Sequence, residues 1–188
     1  MRLTDFCTRV RKSLIFFPLP AGIWRLIYKN GRIIVLENLE FTCVGLNDNG
    51  KFPAEYTGRG EDISPEFIIN NLSPNAETLI ITLEDMSHPI KRFTHWVIWN
   101  IPAANKIPRA IPRGKSAADL GNAVQGIGYG VHRYAGPKPP KGKTHKYRFT
   151  VYALDCSLDV KPVSTKRKVL KAAGAHVIQK GGICGYFE

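Results

Sequence analysis

Residues 79–101 read "LIITLEDMSHPIKRFTHWVIWNI", and this stretch decides the fold class. Its two apolar ends have the length of β-strands and are rich in β-branched and aromatic residues. Their nearly continuous hydrophobicity indicates strands that lie inside a two-sheet sandwich. The polar segment between them begins at Asp85, contains His88 and Pro89, and ends at His95. Ionisable groups beside such apolar strands indicate either a loop on the rim of a sheet or a binding site.

The strand pattern recurs along the chain. Further runs of this kind are "RIIVLE" (32–37), "LEFTCVGL" (39–46), "YRFTVYAL" (147–154) and "GICGYFE" (182–188). Near the end of the chain Val169, Leu170 and Ala173 share one helical face, and Ser164 is the predicted N-cap of a helix from about Thr165. The sequence therefore predicts a mainly β sandwich with short peripheral helices, including one near the C-terminus.

A chain of 188 residues suits one domain with a substantial core, and we assign residues 31–188 to it. Residues 1–30 are predicted to be an N-terminal extension. The apolar residues of this extension recur at helical spacing: Leu3, Phe6, Val10 and Leu14. They predict a short amphipathic helix that packs on the domain or, as an alternative, lies on an anionic membrane surface. The uncharged run 13–24 is shorter than the ~20 residues of a membrane span.

The formal net charge of +12 suits a nucleic acid, an anionic membrane or a small anionic ligand as partner. The basic residues are spread along the chain without a nucleic-acid recognition motif, so no nucleic-acid partner is expected. The four cysteines form no CxxC pair and match no zinc spacing. We therefore expect reduced thiols in a cytoplasmic protein, with no cofactor and no metal.

The usual catalytic motifs, GxSxG, the phosphate loop and HExxH, are absent from the sequence. Polar features remain at Asp85, at His95, in the pair His132–Arg133, and in "GPKPPKGKTHKY" (136–147), which leads to His145 and Tyr147. Residues at strand ends and in connecting loops can converge at one end of a sandwich. Each feature by itself is compatible with a structural role.

Two segments carry a family resemblance. "LIITLEDMSHPIKRFTHWVIWNIPA" (79–103) and "YAGPKPPKGKTHKYRFTVYALD" (134–155) resemble the two signature regions of the phosphatidylethanolamine-binding protein family. "PAEYTGRGEDISPEF" (53–67) and "GAHVIQKGGICGYFE" (174–188) are similar to segments of its bacterial, Raf kinase inhibitor-like branch. The resemblance runs from about Ile34 to Glu188. It implies an antiparallel Greek-key β-sandwich.

The resemblance also implies an anion-binding pocket. Its predicted residues are Asp85, Pro89, His95, Lys138, Pro139, His145 and Tyr147. The resemblance further implies a cis peptide bond before Pro89. The sequence departs from the family pattern D-x-D-A-P at two positions, where Ser87 replaces the second aspartate and His88 replaces the alanine.

The expected function is binding of a small anionic ligand, phosphate-bearing and similar to a phospholipid headgroup, with regulation of a protein partner as a further expectation. Anion binding is expected to strengthen as the pH falls through the histidine range. The alternative is a metal-dependent or acid/base hydrolase that uses Asp85, His95 and His145, with Ser87 as the nearby hydroxyl. The sequence indicates no oligomeric state.

Overall fold

The computed structural model describes residues 23–29, 32–91 and 93–188. The first six strands are β1 (Ile23–Lys29), β2 (Arg32–Asn38), β3 (Phe41–Cys43), β4 (Gly50–Lys51), β5 (Phe67–Ile69) and β6 (Thr78–Asp85). The next six are β7 (Phe93–Pro102), β8 (Lys106–Ile107), β9 (Ser116–Ala117), β10 (Ala123–Gln125), β11 (His145–Leu154) and β12 (Val177–Phe187). Helix α1 spans Lys166–Ala173, and short 3-10 turns occupy Ala54–Tyr56, Ala118–Leu120 and Gly174–His176.

The strands form two sheets. The larger sheet has the order β1-β2-β12-β11-β6-β7-β10-β9, with β4 also paired to β12, and the smaller sheet has the order β3-β5-β8. Neighbouring strands are antiparallel except at β12, which runs parallel to β2 and to β4. The predicted mainly β fold is confirmed. The two parallel pairings of β12 were not predicted.

The central strands of the larger sheet are buried on both faces. Successive side chains of a strand point to opposite faces, so neighbours on β6 enter different cores. Ile81 packs with Phe149 of β11 and Phe67 of the smaller sheet in the sandwich core. Ile80 belongs to a second core, which α1 closes with Val169. This two-sided burial is the physical reason for the nearly continuous apolar runs.

Helix α1 begins at Lys166, one residue later than predicted. Its N-cap is Thr165, and no side chain caps the helix. The prediction of Ser164 as N-cap is wrong because the Ser164 carbonyl accepts a hydrogen bond from the Ile127 N–H (2.9 Å). That bond holds Ser164 against a neighbouring loop, with its hydroxyl buried and unpartnered.

The predicted amphipathic helix of residues 3–14 lies outside the described residues. Strand β1 falls within the segment 1–30, where no strand was predicted, and it pairs antiparallel with β2. The division at residue 30 stays a prediction. Among the described residues, no helix has the length and apolar character needed to cross a bilayer.

Candidate ligand-binding pocket

Three strand ends meet at one edge of the larger sheet. Strand β6 ends at Asp85, which lies opposite Tyr147 of β11 on one side and opposite Phe93 of β7 on the other. Strand β11 begins at His145, two residues before Tyr147, so both side chains lie on the same face of the sheet. Polar residues that are up to 62 positions apart in sequence are thereby brought together.

His95 enters this edge through an irregularity in β7. Leu83 pairs with Trp96 and Glu84 pairs with Thr94, so β7 has one extra residue, His95, between them. Such a β-bulge redirects a side chain and often lies beside a binding site. Trp96 can therefore remain in the sandwich core while His95, 5% exposed, turns toward the strand ends.

These side chains line a cavity of about 540 Å³, a size typical of small-molecule sites. All the predicted residues lie on its wall: Asp85, Pro89, His95, Lys138, Pro139, His145 and Tyr147. The rest of the wall consists of Ser87, His88, Phe93, Tyr129, Pro140 and Lys143. The structure thus brings the predicted set together, while its role in ligand binding stays a prediction.

The buried Asp85 carboxylate is held by two donors. The Nδ1–H of His145 donates to Oδ2 at 2.7 Å, and the Ser87 N–H donates to Oδ1 at 2.8 Å. Since a carboxylate only accepts, the proton of the first bond lies on Nδ1 of His145. The Ser87 hydroxyl in turn accepts the Lys146 N–H at 2.9 Å, which fastens the β6–β7 loop to β11. Ser87 therefore stabilises the loop with a hydroxyl where the family pattern has a carboxylate.

His95 is neutral at pH 7 in this environment. Burial lowers its pKa below the ordinary histidine value, and the hydrogen bond to Ala135 and the charge of Asp85 oppose this shift without cancelling it. The His95 Nδ1–H donates to the Ala135 carbonyl at 3.1 Å. In the neutral ring Nε2 is then an acceptor, and protonation converts it to a donor.

Tyr147 has a fully buried hydroxyl without a hydrogen-bond partner in the described structure. Burial, and then the negative charge of Asp85, raise the pKa of this hydroxyl, so it keeps its proton. The Asp85 carboxylate and the Lys138 backbone lie close enough to affect this pKa, but neither forms a hydrogen bond of good geometry with the hydroxyl in the described structure. The pocket therefore contains an O–H donor without a well-formed hydrogen bond.

Aromatic rings form a wall that the sequence reasoning missed. His88 stacks on Phe93 with ring centres 4.2 Å apart, and Tyr129 lies 5.3 Å from the ring centre of His95. Tyr129 arrives there because the loop 126–130 pairs with β7, with hydrogen bonds such as Tyr129 N–H to the Thr94 carbonyl (2.9 Å). The glycines around Tyr129 could have predicted this approach, because glycine lets two backbones come close together.

A basic rim lies on the proline-rich loop 136–144. Lys138 and Lys143 are exposed and line the cavity. A neighbouring cleft of about 590 Å³ shares Lys138 and Pro139 with the pocket and adds Arg59, which donates to the Pro139 carbonyl at 2.7 Å. The pocket thus continues into a second cationic cleft.

The structure differs from the sequence predictions at Pro89, and it places His132 and Arg133 outside the cavity. The peptide bond before Pro89 is trans, so the expected cis bond is wrong. The trans form is intrinsically favoured, and the His88 ring is fixed by stacking on Phe93 and by accepting the Ile90 N–H at 3.0 Å. His132 donates to the Gln125 carbonyl at 2.8 Å and Arg133 pairs with Asp62 at 2.7 Å, so both stabilise loops outside the cavity.

A metal site in the pocket would require its ligand atoms to lie close together. Within the described residues, the ligand atoms of Asp85, His95 and His145 do not all lie within 4.8 Å of one another, so they do not form a metal-binding group.

A cavity of about 560 Å³ lies elsewhere in the fold, around Arg148 and Gly182. Its described lining contains no histidine and includes both acidic and basic residues: Glu37, Glu40, Arg148 and Lys180. The strand-end pocket is therefore the stronger candidate.

Comparison with known proteins agrees with this geometry. The family model for phosphatidylethanolamine-binding protein matches residues 45–188. A UPF0098 protein of Pyrococcus horikoshii is 41% identical over 155 residues, covering 81% of this chain and 78% of the relative. The UPF0098 protein YbhB of Escherichia coli is 32% identical over 117 residues, covering 58% of this chain and 74% of the relative.

The chain belongs to the phosphatidylethanolamine-binding protein family, as the sequence predicted. Two solved structures share the fold. Escherichia coli YbcL, described as a member of the mammalian family, has a TM-score of 0.72 at 25% identity, covering 80% of this chain and 98% of that one. Chlamydia trachomatis CT736 has a TM-score of 0.70 at 25% identity, covering 80% and 97%. The family is a ligand-binding family.

Proposed function

We propose that this protein binds a small anionic ligand, phosphate-bearing and similar to a phospholipid headgroup, in the strand-end pocket. The observation that carries the proposal is the buried, unpartnered hydroxyl of Tyr147. A buried donor without an acceptor costs the fold free energy, and a ligand oxygen would offset that cost. Regulation of a protein partner stays a prediction.

The charges at the mouth of the pocket support an anion. Lys138 and Lys143 line the cavity and are exposed, and neither forms an ion pair within the described part of the chain, so each can contact a ligand directly. The cleft beside Arg59 adds another cationic group near the same rim. A ligand larger than a single phosphate therefore has room for a second polar group.

The buried carboxylate of Asp85 is the main objection to an anionic ligand. Two donors already contact it, the Ser87 N–H and the His145 Nδ1–H, so much of its charge is compensated. Asp85 therefore acts on a ligand mainly by fixing the orientation of the His145 imidazole.

Protonation of His95 makes the affinity depend on pH. A neutral His95 offers a lone pair, which repels an anion, and a protonated His95 offers a charged donor. Because burial lowers the pKa of His95, the gain in affinity should lie mainly below pH ~6.5, the ordinary histidine value. We expect anion affinity to rise as the pH falls from 8 to 5.

Calorimetric titration of the full chain from pH 5 to 8 tests this. Sulfate is the first probe because its charge is constant over this range, and inorganic phosphate and phosphoethanolamine show whether a free anion or a headgroup binds better. We expect His95→Gln to flatten the sulfate profile and Lys138→Gln to weaken binding severalfold. Lys168→Gln, at an exposed position of α1, is the matched control. Absence of saturable binding of all probes would overturn the proposal.

A hydrolase is the second candidate, favoured by the 2.7 Å hydrogen bond between His145 and Asp85, an arrangement suited to acid/base chemistry. The nearby Ser87 hydroxyl accepts the Lys146 N–H and so is already used in fixing the loop. Assay of phosphate esters with the wild-type chain and His145→Gln distinguishes the classes. Turnover that is lost in the variant would establish the hydrolase, and tight binding without turnover would exclude it.

A further inference from the structure

A second cluster of reactive side chains lies at the other end of β11 from the pocket. His145 begins this strand, and Asp155 and Cys156 follow its last residue, Leu154. At about 3.4 Å per residue, the ten-residue strand separates the two places by about 30 Å. His176 joins the cluster from the 3-10 turn that precedes β12. The cluster is therefore distinct from the proposed anion pocket.

The potential ligand atoms of this cluster converge. The His176 Nδ1, a carboxylate oxygen of Asp155 and the Cys156 Sγ all lie within 4.8 Å of one another. The closest pair, Nδ1 and Oδ1, is 2.8 Å apart. Tetrahedral zinc, with bonds of about 2.0–2.3 Å, places its ligand atoms about 3.3–3.8 Å apart. Small side-chain rotations would therefore convert this contact into a coordination shell.

The backbone that carries the cluster is fixed by the sheet. The Asp155 N–H donates to the His176 carbonyl at 3.1 Å, just beyond the pair Leu154–Val177 of the β11–β12 ladder. The Thr78 hydroxyl donates to the Cys156 carbonyl at 2.5 Å. These bonds bring together residues from both sides of the α1 segment. A metal ion would meet ligands that are already positioned.

The cluster is also accessible and locally negative. The side chains of His176 and Asp155 are 53% and 47% exposed, so an ion can reach them from solvent. The carboxylates of Asp155 and Glu77 both lie near the Cys156 sulfur. The Glu77 N–H donates to the Leu154 carbonyl at 2.8 Å and so keeps Glu77 beside the cluster. In a chain of net charge +12, this local concentration of acids favours a cation.

The donor types select the kind of ion. Calcium and magnesium prefer oxygen ligands alone, whereas a sulfur, an imidazole nitrogen and a carboxylate oxygen together suit zinc and similar transition metals. We propose that Asp155, Cys156 and His176 form a site for a divalent transition-metal ion of the zinc type. Water occupies the fourth position, and the thiol proton leaves to solvent as the metal–sulfur bond forms. The bound ion links the end of β11 to the start of β12.

Titration of the metal-free full chain with Zn²⁺ and Co²⁺, under a non-chelating reductant, tests the site. We expect one equivalent of Zn²⁺ to bind with micromolar affinity or better and to raise the melting temperature. Bound Co²⁺ should show the near-ultraviolet absorption of a cobalt–thiolate bond. Cys156→Ser and His176→Gln should each weaken Zn²⁺ binding at least tenfold, and the first should abolish the cobalt–thiolate band.

The matched controls are Cys184→Ser, at another partly buried cysteine, and Asp159→Asn, at an exposed aspartate three residues after Cys156 in sequence. Both should bind Zn²⁺ as the wild-type chain does. His176→Gln alters a half-exposed side chain, so it keeps the test valid even if Cys156→Ser folds poorly. Zn²⁺ affinity weaker than millimolar, a missing thiolate band, or equal loss in Cys184→Ser would overturn the proposal.

Discussion

Tyr147 contributes to the core through its ring and to the pocket through its hydroxyl. The ring packs edge-on against His95, with centres 5.3 Å apart, and against Phe52 at 5.9 Å. Among the described residues the buried hydroxyl has no hydrogen-bond partner of good geometry, which costs the fold about 1–3 kcal/mol. Without the hydroxyl, the ring would therefore stabilise the fold at least as well as the complete Tyr147 side chain does.

Tyr147→Phe keeps the ring and removes the hydroxyl. We expect an unchanged or higher melting temperature, together with about tenfold weaker sulfate binding, because a hydrogen bond to a charged group contributes about 1.5–3 kcal/mol. Scanning calorimetry and isothermal titration measure the two effects. Tyr186→Phe, at a tyrosine 36% exposed, is the control. A large loss of stability with unchanged affinity would show that the hydroxyl serves the fold.

His95 should also make the free energy of unfolding depend on pH. Its pKa is lowered in the folded chain, so below pH ~6.5 the unfolded chain binds more protons than the folded one. Stability is therefore lost as the pH falls from about 7 toward the folded pKa. Urea unfolding at pH 7.5 and 5.5 should show a smaller loss in His95→Gln than in the wild-type chain. An identical loss in both proteins would contradict this linkage.

At the scale of elements, the proline-rich loop 136–144 begins at a close backbone contact. A Cβ on Gly136 would lie 2.0 Å from the Tyr56 carbonyl oxygen, and the Gly136 N–H donates to Asp62 at 2.6 Å. This contact acts together with the Arg59 hydrogen bond to the Pro139 carbonyl to hold Lys138 and Pro139 at the pocket. Gly142 in the same loop has φ +73° but open space around it.

Gly136→Ala should therefore displace the loop, whereas Gly142→Ala should only strain the backbone, by about 1–2 kcal/mol. We expect the first variant to lower the melting temperature more than the second and to weaken sulfate binding severalfold. Thermal melts and titrations of both variants measure this. Equal behaviour of the two would show that the Gly136 contact does not position the loop.

At the scale of the whole molecule, the larger sheet is covered on both sides. The smaller sheet covers one face, and α1 with the segment that contains Leu158 covers the other. A sandwich with one solvated outer face would leave every second residue of β6 exposed. In this fold all eight residues of β6 are buried.

Ile80→Ala and Ile81→Ala test this two-sided burial, because these neighbours enter the two different cores. Each should cost about 2–5 kcal/mol of unfolding free energy, the usual range for a buried isoleucine. Ile90→Ala, at an isoleucine 63% exposed, should cost under about 0.5 kcal/mol. Urea unfolding measures all three. A near-zero cost at Ile80 would mean that α1 does not close the second core.

The sequence predicted the strands because local composition and periodicity reflect burial directly. The runs at 79–85, 95–101 and 147–154 correspond to β6, β7 and β11. The family motifs that contain these runs named the pocket residues, and those residues line one cavity. Local reasoning failed at Ser164, which is bound to the loop that contains Ile127 instead of capping α1. The family resemblance failed at Pro89, where the preceding peptide bond is trans.

The amino-acid sequence by itself determined the mainly β class and the C-terminal helix, since each depends on residue types within a short window. It named the candidate pocket residues through its resemblance to the family motifs. Only the tertiary structure decided the parallel pairings of β12, the bulge at His95 and the approach of Tyr129 to the pocket. It also decided that His176 meets Cys156, twenty residues earlier, at the end of β11. These features arise from strand register and from the order of the strands in the sheet. Both are determined by long-range packing, so no local sequence pattern predicts them.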